Sequence, residues 1–242
     1  LSQVIGPFSG FSIEAVKFLS DLEKNNSTEW FNNNRERYDK FLVQAAKSFI
    51  VEISQFFNML NPAIRTEPKF DQTIMRINKD MRFSKGLPYR NYFLIHFGRF
   101  KLDSEFYVNL GTTGIGVGLF LNNTTGENLF FNENLKKYPK EIKNVFKKYK
   151  INGHYALWEL SKEPKLAIES FFAEKDLNAI GALKMLLLEK EYTEKNLVTY
   201  TQDFFGEVIK SISRLYPLYC FAVSQNPLKL LSEFEDAFGM TA

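Results

Sequence analysis

Apolar residues recur at helical spacing twice in the first quarter of the chain. Ser12 is placed as an N-cap with Glu14 in the first turn, and Ala15, Val16, Phe18, Leu19 and Leu22 follow on one face. This predicts a helix ending near Glu23, with Asn25-Asn26-Ser27 as the turn. Thr28 caps a second helix whose stripe runs through Phe31, Tyr38, Phe41, Leu42, Ala45, Phe49, Ile50, Ile53, Phe56, Phe57 and Leu60. Asn61-Pro62 stops it. A helix of that length is expected to bend. The two form a helical pair over residues 12–61 with a wide apolar face that needs a partner layer.

The period then changes. Thr73 to Asn78 alternates as a strand, with Ile74 and Arg76 on one side and Met75 and Ile77 on the other. Three more strands are predicted at Tyr92–Phe100, Glu105–Leu110 and Ile115–Leu121, joined by Lys101-Leu102-Asp103-Ser104 and Gly111-Thr112-Thr113-Gly114. Such short connections favour an antiparallel meander. Beyond them the pattern predicts helices over Leu129–Leu135 and from Pro139 through Tyr149, a strand at Ala156–Leu160, and helices over Asp203–Val223 and from Pro227. Pro217 is expected to kink or break the first of the last pair. Ile168, Phe171 and Phe172 suit a helix, whereas 183–192 fits either a helix or a buried strand. The expected architecture is α+β: a central, mainly antiparallel sheet packed by an N-terminal helical pair and C-terminal helices. One domain over 1–242 is expected, with a sheet-rich core at 73–121 and a helical or mixed remainder at 125–240.

One stretch departs from the ordinary separation of buried and solvated residues. From Ile74 to Tyr92, Arg76, Lys79, Asp80, Arg82, Lys85 and Arg90 alternate with apolar residues and a Gly-Leu-Pro-Tyr turn. Gly86 allows positive φ, and Pro88 fixes its own φ and removes a donor. Arginines and lysines converging on such a loop can cradle a phosphate or carboxylate. Asp80 could equally pair with Arg76 or Arg82 and pin the loop. Upstream, Glu29-Trp30-Phe31 opens the second helix, and adjacent rings cannot share a face, so one of them is a candidate pocket wall.

Composition constrains rather than identifies. The 242 residues carry 31 Lys+Arg against 28 Asp+Glu, a net charge of +3, too small to imply nucleic acid by itself. The single Cys220 excludes an internal disulfide, and its apolar surroundings, Leu218 to Val223, predict an inert buried thiol. No apolar run approaches the ~20 residues of a membrane span. The first residues lack a basic segment leading into an apolar one, so no signal peptide and a cytoplasmic setting are expected.

Other motifs are weak. The glycine run from Gly111 to Gly118 is followed by Leu119-Phe120-Leu121, which continues as strand, so a dinucleotide loop is not expected; a tight turn and close backbone packing explain it. His96 and His154 stand without ligand partners at metal spacing, so no metal is expected, and nothing names a cofactor. Asp80 is the one acid inside the candidate site, and its cationic neighbours would keep its pKa low, making it a poor proton donor.

The segment RINKDMRFSKGLPYRN, Glu29-Trp30-Phe31 with Arg35 and Tyr38, and Phe106-Tyr107-Val108 followed by Val117-Gly118-Leu119 together resemble a family of conserved hypothetical proteins, domain of unknown function 2461. The resemblance follows the order of elements along the chain. It departs from the family pattern in a shorter loop after Lys85, in Arg90 where Lys is usual, and in Glu163-Pro164-Lys165 where the family has Pro-Lys-Gly. It implies a compact α+β fold and no established activity.

Three functions fit these features. The first is a binding module holding a small anionic ligand with Arg76, Lys79, Asp80, Arg82, Lys85, Tyr89, Arg90 and Trp30. The second is an enzyme on a phosphate-containing or nucleic-acid substrate at the same pocket, with Asp80 as the catalytic candidate. The third is a structural or interaction protein in which an Arg–Asp lock is only architectural. The oligomeric state is left open.

Overall fold

The computed structural model describes residues 6–82, 86–161 and 164–238. Its core element is a six-stranded antiparallel sheet in the order β1-β2-β3-β6-β4-β5, with N-terminal and C-terminal helices packed on it. The strands are β1 (Phe93–Phe97), β2 (Glu105–Leu110), β3 (Gly114–Asn122), β4 (Ala156–Glu159), β5 (Lys165–Ile168) and β6 (Met185–Thr193). The helices are α1 (Ile13–Lys24), α2 (Thr28–Asn33), α3 (Arg35–Tyr38), α4 (Ala45–Leu60), α5 (Phe131–Lys137), α6 (Pro139–Lys148), α7 (Ala173–Ala182), α8 (Asp203–Val223) and α9 (Pro227–Phe238). Two compact units can be described, one of Leu1–Phe97, Tyr107–Val117 and Glu191–Ile209, the other of Gly98–Phe106, Gly118–Lys190 and Lys210–Ala242.

In the first unit, α1 starts where Ser12 accepts a hydrogen bond from the Glu14 N–H, and its buried face is Ala15, Val16, Phe18, Leu19 and Leu22. The long second helix is divided. α2, capped by Ser27, ends at Asn33; α3 follows; and Asp39–Gln44 is a π-helical segment before α4. Asn34 contributes to the break, because its side-chain amide competes for the Trp30 carbonyl at 2.9 Å. The π segment supplies the bend that a long helix needs to stay on a curved core. α4 then buries Phe49, Ile50, Ile53 and Phe57, and the Phe57 ring stacks on Phe97 of β1 at 4.4 Å.

The segment 73–78 forms no named strand. Ile74 bridges Ile95, and Asn78 bridges Tyr89, as isolated pairs. Ile74 and Ile77 are buried while Arg76 is exposed, so Ile74 and Arg76 do not share a face. Period-two alternation fails here because only single bridges tie the segment down and the chain turns between them.

In the second unit, α8 runs unbroken across Pro217, within a stretch buried from Leu215 to Val223. Tyr219 lies 4.9 Å from Phe106. Residues 185–193 are a strand, and β6 pairs antiparallel with β4 through Leu157↔Leu188 and Trp158↔Leu187. Ile168 closes β5 instead of opening a helix, and α7 begins only at Ala173. Three of the six strands therefore lie after residue 155, in the part expected to be helical or mixed. Arg99 and Asp103 form an internal lock, with Nε–Oδ2 at 2.7 Å and Nη2–Oδ1 at 3.0 Å. Arg99 also donates to the carbonyls of Val223 and Asn128.

Cys220 is fully buried, and burial pushes its thiol well above the ordinary range. Gly114 explains one of the glycines in the run: a Cβ there would lie 2.3 Å from the Tyr192 carbonyl oxygen. Among the described residues, no helix is long and apolar enough to cross a membrane.

Candidate functional site

The 74–92 segment is a loop fastened at its base. The Lys79 N–H donates to the Pro88 carbonyl at 2.8 Å, and the Arg90 N–H to the Ile77 carbonyl at 2.8 Å. Met75 donates to the Leu94 carbonyl and His96 to that of Thr73, which lays residues 73–75 along β1. Asn26 reaches across from the α1–α2 turn and satisfies both backbone groups of Tyr89, at 3.0 Å each. The polar Asn25-Asn26-Ser27 turn thus has a second use beyond ending α1.

Two of the expected ligand residues belong to this base. Tyr89 is buried, its ring stacked on Phe31 at 4.3 Å and 16°. Arg90 donates from Nη1 to the carbonyls of Arg76 and Asn78, both at 2.9 Å. An Arg that satisfies two carbonyls of the facing strand segment holds the loop's shape. Trp30 is half-buried with its ring against Phe18 at 5.6 Å, whereas Phe31 is the member of the pair that enters the core.

The remaining charges project outward. Arg76 pairs with Asp71 at 2.8 Å and lies over the Phe70 ring. Asp80 accepts three hydrogen bonds from Arg82: the backbone N–H at 3.1 Å, Nε at 3.0 Å and Nη2 at 2.7 Å. These bonds hold the Asp80 carboxyl below the usual carboxylate range and push the guanidinium of Arg82 up. An ionised, fork-bound Asp80 is suited to orienting a guanidinium and unsuited to donating a proton. Arg82 keeps 82% of its side chain in solvent. Met81 and Leu87, on either side of it along the loop, are exposed as well. Lys85 lies outside the described residues. The structure therefore gathers Asp80 with Arg82 and Arg90 with the backbone at Arg76, and pairs Arg76 with an acid the sequence did not single out.

His96 is half-buried on β1, its side chain on the face opposite Phe93, Ile95 and Phe97. Among the described residues no group of His, Cys, Asp or Glu is placed to hold a metal ion.

In the second unit, Lys148, Lys150, Lys210 and Arg214 line a cavity of about 400 Å³ with Tyr149 and Ser213. Sequence reasoning passed over them because they come from α6, the turn after it and α8. The legible signal was the spacing of Lys210 and Arg214, two like charges one helical turn apart.

No curated protein matches the chain. A family model described as conserved hypothetical protein (DUF2461) matches residues 14–221, a span that includes the fastened loop and all six strands, and the chain belongs to that family.

Proposed function

We propose that the protein is a binding module that recognises anionic groups, phosphate or carboxylate, with the exposed Asp80–Arg82 arm of the 79–88 loop. One observation carries this: Arg82 is held out in solvent on a loop whose base is independently fastened. Tyr89 and Arg90 do the fastening, so Lys79 and the Asp80–Arg82 pair are the described charges of this loop that can meet a partner. The acids on Arg82 and Arg76 do not preclude this. Exposed ion pairs are worth only about 0–1 kcal/mol, so a ligand can displace or bridge them. Asp80 then serves to orient Arg82 before contact. Exposed Met81 and Leu87 beside the cations would add apolar contact at the rim of the same surface. A cytoplasmic setting is part of the proposal, supported by the single buried thiol in a chain without disulfides.

Retention on heparin at low salt tests it. The protein should bind, retention should fall steeply with salt, and Lys79→Gln/Arg82→Gln should elute at clearly lower salt than the parent while a Lys140→Gln/Lys143→Gln control does not. No retention at low salt, or equal elution of the loop variant and the parent, overturns the proposal.

A further inference from the structure

We propose that the Asp80–Arg82 arm docks on an anionic phospholipid bilayer, whose phosphates meet the cations while its acyl boundary takes Met81 and Leu87. The inference rests on the anion-binding reading of this arm and names its partner. The arm begins where the bond from the Lys79 N–H to the Pro88 carbonyl closes the base. Past that bond Asp80, Met81, Arg82, Gly86 and Leu87 are all exposed. Arg82, paired with Asp80, keeps most of its side chain in solvent. Gly86 has a φ of +105°, and a Cβ there would meet nothing within 4 Å. The arm therefore stands clear of the unit that carries it.

Single exposed apolar side chains are common on protein surfaces. Here there are two, Met81 at 47% and Leu87 at 54%. The Lys79–Pro88 bond starts the limbs that carry them side by side, with Lys79 and Arg82 on the same arm. Val51 and Met59 are also exposed, on α4, but the stretch from Ser48 to Ala63 around them holds one charge, Glu52. It lacks the cationic half of the pattern.

Shape selects among anionic partners. A small ligand is taken up by a concave pocket that covers most of its surface. An extended acidic peptide needs a groove or a free sheet edge. Exposed limbs offer neither. A bilayer brings a deformable, laterally mobile layer of phosphate above an apolar one. A cation near an anionic membrane surface strengthens partition about fivefold, and apolar side chains gain by entering the acyl boundary. One such signal alone is marginal, and two together give attachment. Asp80 holds the Arg82 fork in place until a lipid phosphate takes it over.

Co-sedimentation of the full chain with vesicles tests this, comparing mixed phosphatidylcholine–phosphatidylserine vesicles with phosphatidylcholine alone. Heparin retention is measured on the same proteins. The parent should sediment with the mixed vesicles only. Lys79→Gln/Arg82→Gln should lower partition on the order of tenfold and lower heparin retention too. Met81→Ser/Leu87→Ser should lower vesicle partition by roughly as much while heparin retention stays unchanged, which separates a bilayer from a soluble polyanion. Heparin retention without vesicle binding overturns the lipid assignment and leaves the anion-binding reading standing; loss of both in the parent overturns both. Equal partition of Met81→Ser/Leu87→Ser and the parent overturns the proposal, because charge alone would then suffice. Release from the vesicles by inorganic phosphate at constant ionic strength assigns the arm to the free anion and overturns it. Binding to polyglutamate but not to vesicles assigns the arm to an acidic protein segment, with the same consequence.

Discussion

The rings of Tyr89 and Phe31 lie nearly parallel, with centroids 4.3 Å apart, and they join the turn that ends the cationic loop to the start of the second helical run. An aromatic residue next to a run of cations reads as part of a binding surface. Here it is the loop's anchor. Truncating it, Tyr89→Ala, should cost about 3 kcal/mol, as deletion of a buried ring does. Urea denaturation checks this, and Tyr89→Phe, which keeps the stack, should lose far less.

Asn26 should matter to the same joint. It satisfies both backbone groups of Tyr89 from a part-buried position, so Asn26→Ala leaves a donor and an acceptor to find other partners. A loss of about 1–3 kcal/mol is expected. Faster amide exchange at Tyr89 in the variant would locate the effect, and unchanged exchange would show that the pair is incidental.

The Arg99–Asp103 lock is the most sensitive polar feature of the second unit. Asp103 has 0% and Arg99 17% of its side chain exposed. Asp103→Asn leaves a largely buried guanidinium without its counter-charge, at an expected cost of about 3–5 kcal/mol. Thermal or urea unfolding measures it directly; a loss below about 1 kcal/mol would place this pair among ordinary surface bridges.

Gly114→Ala should be destabilising by about 1–3 kcal/mol, because the new methyl group would meet backbone and not a side chain that can swing away. The same substitution at Gly206, where a Cβ meets nothing within 4 Å, is the control, and in the helical setting of α8 it should be neutral or stabilising.

Acid sensitivity should have a contribution at Glu235. Burial opposes its ionisation, but the hydrogen bonds from Tyr149 and Lys148 prevail and lower its pKa. The unfolded chain then takes up this proton first on acidification. The stabilisation is present above the ordinary glutamate range and is lost as pH falls through the depressed folded value. Stability curves of the parent and Glu235→Gln should converge on the acid side and separate toward neutral pH.

What the pattern of residues disclosed depended on how local the cause was. β2 occupies Glu105–Leu110 as its alternation predicts, and β3 exceeds its predicted span by a residue at each end, because pattern and turn chemistry coincide there. The start of α6 at Pro139 and of α9 at Pro227 follow from proline's fit to a first helical turn. Residues 185–193 were undecidable alone, since an apolar run suits a buried helix or strand; pairing with β4, distant in sequence, settles it. The failure at 73–78 has the same origin. Alternation was present, but a strand needs a continuous partner, and this segment meets only single bridges.

At the candidate site, the cations and the Asp80–Arg82 option were legible from spacing. The division of labour among them was not. Asp71 for Arg76, the backbone carbonyls for Arg90 and Phe31 for Tyr89 are tertiary partners that residue order does not reveal. The α6–α8 cations come together only through the fold, and the i,i+4 spacing of Lys210 and Arg214 was the one trace of them in residue order.

In the proposed function the loop exchanges the Asp80–Arg82 pair for an anionic ligand while its base stays fixed. Side-chain NMR of the Arg82 Nε–H and the Asp80 carboxyl during titration with inorganic phosphate tests it most directly. Binding should give a saturable shift of the Arg82 signal, a rise of the Asp80 pKa as its partner is taken, and no movement of the Tyr89 and Arg90 backbone amides. An Arg82 signal and an Asp80 midpoint that stay fixed under saturating phosphate would contradict it.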